Sequence, residues 1–137
     1  MVRLGATIPA LPSADVDRGV RFYLDRLAFE LVHREDGFAI LRRDDATIHL
    51  WGATDEAWRT TIDPTRPICS GAESFIAGTA SCRVRVEGID ELYAVCETEK
   101  IVHPNGAIAD QWWGDREFAV TDPDGNLVTF FEPQDAA

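Results

Sequence analysis

The chain has 137 residues and a mass of 15.2 kDa, the size of one ordinary domain, and 45% of its residues are apolar, enough to fill a core, which excludes intrinsic disorder. Thirteen Lys and Arg against 24 Asp and Glu leave a formal charge of −11; this excludes nucleic acid as a partner, because that affinity comes largely from counterions released at basic patches, and favours a cationic ligand. No segment has the length and apolarity to cross a bilayer.

Residues 1–12 are partly apolar but alternate like a strand and lack the leucine-rich core and small-residue cleavage site of an export signal, so a soluble, cytoplasmic protein is expected. An extended apolar segment at 6–11 leads through Ser13-Ala14-Asp15 into a helical stripe of Val16, Val20, Tyr23, Leu24 and Leu27. Strands are predicted at 29–33 and 38–43, joined by Glu35-Asp36-Gly37, a hairpin turn in which Gly supplies positive φ. Another follows at 47–51, where alternation turns Ile48 and Leu50 one way and Thr47, His49 and Trp51 the other. Residues 53–79 are rich in Thr, Pro, Ser and Gly and read as a long loop; loops of that length in compact domains are commonly functional.

The pattern then restarts. An extended segment at 80–86 leads through Val86-Glu87-Gly88 into a second stripe of Ile89, Leu92, Tyr93 and Cys96. A short strand at 101–103, a loop at 104–115, and two strands at 116–121 and 126–132 around Asp122-Pro123-Asp124-Gly125 complete it. The economical architecture is α+β: a single domain of two βαβββ modules, about 1–52 and 80–133, forming a curved mixed sheet with a hollow face. Cys69, Cys82 and Cys96 are odd in number and outside metal-binding spacing, and Cys82 and Cys96 fall on core-facing positions.

The run from Trp113 through Gly114-Asp115-Arg116-Glu117-Phe118-Ala119 to Asp122-Pro123-Asp124-Gly125-Asn126 resembles the closing segment of the vicinal-oxygen-chelate superfamily, which includes glyoxalase I, extradiol dioxygenases and bleomycin-binding proteins. Ala14-Asp15-Val16-Asp17-Arg18 and Gly88-Ile89-Asp90-Glu91-Leu92-Tyr93 resemble its two helix entries. Trp-Gly-x-Arg-Glu-Phe-Ala, Asp-Asp-x-Thr at 44–47 and Asp-Glu-Leu-Tyr at 90–93 are similar to the bleomycin resistance proteins in particular. Enzymes of the superfamily hold a divalent ion with four side chains. The resemblance carries those positions to Ile8, His49, Ser81 and Thr129, of which only His49 ligates well, while His33 and His103 lie outside the set as surface or turn residues.

No protein metal site and no catalytic residue is therefore expected. The expectation is a ligand-binding face built from Phe38, His49, Trp51 and Thr47, with Trp112 and Trp113 in the loop before the seventh strand, and Trp58 in the long loop. Flat aromatic rings suit a ligand with conjugated heterocycles. Asp36, with Glu35, Asp55, Glu56 and Asp115, would border the groove and collectively attract a cationic tail, although a single acid of this kind is more often a solvated turn carboxylate. Trp58 could equally pin its loop, and Trp113 could pack beneath its own.

The resemblance implies capture of a bleomycin-family glycopeptide without catalysis, with copper present only inside the drug. It also implies a homodimer that exchanges its N-terminal strand (residues 2–12). The alternatives are a metal-dependent isomerase or dioxygenase with a rearranged site, or a binder of another aromatic cation.

Overall fold

The computed structural model describes residues 1–53, 65, 70, 72 and 76–135. Each half is a β-α-β-β-β unit. The first comprises β1 (Ala10–Ser13), α1 (Val16–Leu27), β2 (Glu30–Glu35), β3 (Phe38–Arg43) and β4 (Ala46–Gly52). The second comprises β5 (Ser81–Arg85), α2 (Ile89–Thr98), β6 (Ala109–Asp110), β7 (Asp115–Thr121) and β8 (Leu127–Pro133). Their hydrogen-bonded orders are β1-β4-β3-β2 and β5-β8-β7-β6, the same permutation twice, with one parallel pair in each sheet. The repeat in the sequence is thus a repeat of topology.

Helix α1 forms where its stripe and its cap agree. Asp15 Oδ1 accepts the backbone N–H of Arg18 at 3.1 Å, and Val16, Gly19, Val20, Tyr23 and Leu27 are buried. Gly19 lets the helix lie close to its sheet: a Cβ there would lie 3.0 Å from Leu50 Cδ1 and 3.1 Å from Ser13 Oγ. Helix α2 has no side-chain cap of its own, because its N-cap residue is Gly88, which has no side chain and sits in a left-handed conformation (φ 87°). Glu132, 44 residues onward, supplies the acceptors instead, taking Gly88 N–H at 3.0 Å and Ile89 N–H at 3.3 Å.

Both modules contribute to a single apolar core, which runs from Leu11, Tyr23, Leu41 and Leu50 to Ile89, Phe118, Val120 and Val128. Their junction is polar. Asn126 donates to the carbonyl of Pro12 at 2.8 Å, Asp124 accepts Ala14 N–H at 2.8 Å, and Tyr23 O–H donates to Asp122 at 2.9 Å. Burial there pushes the Tyr23 hydroxyl and the Asp122 carboxyl above their ordinary values.

Three expectations are corrected at element ends. The first strand begins at Ala10 rather than at residue 6: pairing with β4 runs from Ala10↔His49 to Ser13↔Gly52, Pro9 accepts His49 N–H through its carbonyl, and residues 1–8 are exposed. A residue without an N–H ends a ladder readily. The predicted strand at 101–103 is a single bridge, Val102 to Val120, and the predicted loop at 104–115 contains β6, paired with Arg116 and Glu117. Cys96 is fully buried and Cys82 half-buried, and desolvation pushes each thiol up to about 11.

Candidate ligand-binding site

The alternation predicted for β4 is present. Ile48 and Leu50 are buried, while Thr47, His49 and Trp51 look out over the open face of the first sheet. Register then assembles rings across strands. Phe38 pairs with Trp51 and Ile40 with His49, so Phe38 lies 4.4 Å from the Trp51 ring and 5.1 Å from the His49 ring, the latter edge-to-face. Thr47 stands one row away and accepts Arg42 Nε–H at 3.3 Å.

His33 is exposed at the surface, as expected, and it also joins this face. The register of β2 shifts between Leu31 and His33, which brings His33 opposite Ile40 and 6.0 Å from the Phe38 ring. Simple alternation with Leu31 would turn it the other way; the bulge reverses it. His103 stays apart, its Nδ1 accepting Asn105 N–H at 3.0 Å. Asp36 is exposed in the hairpin turn, and Glu35 lies 3.5 Å from His33.

The second sheet carries a different face. Trp112 is 92% exposed and Trp113 47% exposed; their rings meet edge-to-face at 5.5 Å, and Trp113 Nε1–H donates to Asp115 at 3.2 Å. Asp115 and Glu117 both accept from Arg83, whose guanidinium lies 4.7 Å from the Phe131 ring centroid. Sequence reasoning missed Arg83 and Phe131; the signal available was alternation between apolar Cys82 and Val84, which leaves Arg83 on the open side. Trp58, Asp55 and Glu56 lie outside the described residues.

The family model for the glyoxalase/bleomycin resistance protein/dioxygenase superfamily matches residues 6–130. The chain belongs to this superfamily. A bleomycin resistance protein of Geobacillus stearothermophilus is 56% identical over 126 residues, 92% of this chain and 95% of that relative. Among solved structures, a bleomycin-binding protein complexed with bleomycin superposes with a TM-score of 0.68 at 28% identity, covering 96% of this chain and 100% of the other. A bleomycin-binding protein from bleomycin-producing Streptomyces verticillus, complexed with copper(II)-bleomycin, gives a TM-score of 0.66 at 27% identity, covering 95% and 97%.

The metal of the superfamily's enzymes can be tested against the side chains at its ligand positions. The four positions carried over from those enzymes hold Ile8, His49, Ser81 and Thr129. That set is one alkyl group, one imidazole and two hydroxyls, which does not fit a divalent ion needing several converging carboxylates or imidazoles. Among the described residues, no group of three or more His, Cys, Asp and Glu could hold a metal. Likewise, no described helix is long and apolar enough to cross a membrane.

Proposed function

We propose that this chain captures a bleomycin-family glycopeptide, free or copper-bound, and confers resistance by holding it stoichiometrically rather than by transforming it. The observation that carries the reading is the open aromatic face on which Phe38 touches both His49 and Trp51, in a chain 56% identical to a bleomycin resistance protein. Conjugated heterocycles stack on such rings, gaining about 0.5–1.5 kcal/mol per pair beyond area burial. Trp113 supplies a further ring, and Trp112 and Asp36 belong to the border of the same groove. Copper enters inside the drug and is held by the drug's own nitrogens, so the protein needs no cofactor.

The functional unit in this proposal is a homodimer. Met1, Val2, Leu4 and Ile8 are exposed on the N-terminal arm, and an arm carrying such side chains is suited to exchange with a second copy. The groove would then draw Phe38, His49 and Trp51 from one subunit and Trp113 from its partner.

Titration of tryptophan fluorescence with metal-free and copper-loaded bleomycin, beside an unrelated planar cation, tests the reading. Saturation at one drug per chain, with the drug recovered unchanged and the unrelated cation bound far more weakly, is the expected result. A modified drug, or equal affinity for any planar cation, would overturn it.

A further inference from the structure

The open face of the second sheet holds a charge arrangement that aromatic stacking does not require. Asp115 and Glu117 stand two residues apart on β7, facing the same way, with side chains only 20% and 15% exposed. Two largely desolvated carboxylates at that spacing attract a cation. The cation present is Arg83. Its side chain leaves β5 and reaches across β8, and Nη2–H donates to Asp115 Oδ2 at 3.3 Å and Glu117 Oε2 at 2.8 Å. Phe131, on the strand between, forms the floor beneath the guanidinium. The reach is diagonal: Arg83 is registered with Thr129, whereas Glu117 is registered with Phe131.

We propose that Arg83 is a specificity-determining residue, the tethered cation of this face, whose guanidinium fills the Asp115–Glu117 carboxylate pair and closes it to free metal ions. Because the guanidinium is attached to the sheet, it competes at a high effective concentration whatever the solution contains. An ion held by two carboxylates alone loses that competition. The face stays available to planar groups that stack against the Phe131 side, while hard cations that would otherwise settle between the two acids are turned away. The selectivity for planar groups rests on the drug-capture reading, whereas the exclusion of metal ions is tested apart from it.

The test uses terbium(III), a hard cation with a preference for carboxylate oxygen. Its emission is sensitised by a nearby indole, and Trp113 is hydrogen-bonded to Asp115 itself. In chelator-washed full-length protein, Arg83→Met keeps an apolar stem over Phe131 and removes the charge; it is expected to raise terbium affinity roughly tenfold over the unaltered protein, the effect of losing one competing charge-assisted contact. Adding Asp115→Asn to Arg83→Met should abolish the gain. Arg83→Gln, which retains hydrogen-bonding capacity, should reproduce it and serves if the methionine perturbs the face. Equal terbium affinity with and without Arg83, or a gain that survives Asp115→Asn, would overturn the proposal.

Discussion

Among the described residues, Phe38 has three aromatic neighbours on the first sheet's open face, His33 at 6.0 Å, His49 at 5.1 Å and Trp51 at 4.4 Å. Truncating it removes a stacking surface and also loosens the rings that flank it. Phe38→Ala is therefore expected to weaken bleomycin binding by ~1–3 kcal/mol, the scale of an aromatic anchor, and Trp113→Ala by a similar amount. Calorimetric titration of each variant decides whether the ring lies in the groove; unchanged affinity would remove that residue from it. The thiols make a separate test of burial. With Cys82 and Cys96 both pushed up to about 11 by desolvation, neither holds appreciable thiolate at neutral pH. In a Cys69→Ser background the native protein should resist a thiol reagent at pH 7 and titrate two thiols once unfolded; rapid native labelling would show that the burial is breached.

Caps separate the two helices more sharply than their apolar stripes do. The cap of α1 is local, Asp15 to Arg18, and can be read directly from Ser13-Ala14-Asp15, whereas α2 borrows Glu132 from the end of β8. Glu132→Ala leaves two N–H groups at the start of α2 without their acceptor, and should cost about 1 kcal/mol, comparable with Asp15→Ala, in urea-induced unfolding. A neutral Glu132→Ala would mean that water replaces the carboxylate without loss. The same contrast between local and distant partners explains what was legible beforehand. The two helices, β3, β4 and the β7–β8 hairpin carry their own periodicity or turn chemistry, and the aromatic face followed from alternation in β4 alone. Strand β6 does not: its two residues sit in a Pro-, Asn- and Gly-containing stretch and are ordered by pairing with Arg116 and Glu117. The proximity of His33 to Phe38 was not legible, because one bulge reverses the face of a strand and a bulge leaves no mark in composition. Arg83 was missed because its meaning depends on Asp115, 32 residues away.

Across the whole molecule the formal charge of −11 sets a field rather than a contact. If that field steers a cationic drug, association rates measured by stopped flow should fall as salt rises and the Debye length shrinks toward about 8 Å at physiological ionic strength; rates flat with salt would leave the charge a solubility role alone. The N-terminal arm offers a sharper test of the proposed dimer, because the strand register shows where to cut. Pro9 accepts the N–H of His49 through its carbonyl, and β1 begins at Ala10, so deleting residues 1–8 leaves that bond and the parallel β1–β4 ladder in place. What the deletion removes is apolar surface exposed in the single chain: Val2 and Leu4 are each 89% exposed and Ile8 50%. Burying such side chains is favourable by about 25 cal/mol per Å² only where a second surface receives them, and a swapped arm supplies that surface without a new contact type. The truncated chain is therefore expected to keep its fold by circular dichroism, to sediment as a monomer, and to lose bleomycin affinity, because Phe38 and Trp113 would no longer face one another across subunits. A folded monomer that retained full affinity would place the whole groove within one chain and overturn the shared-groove dimer.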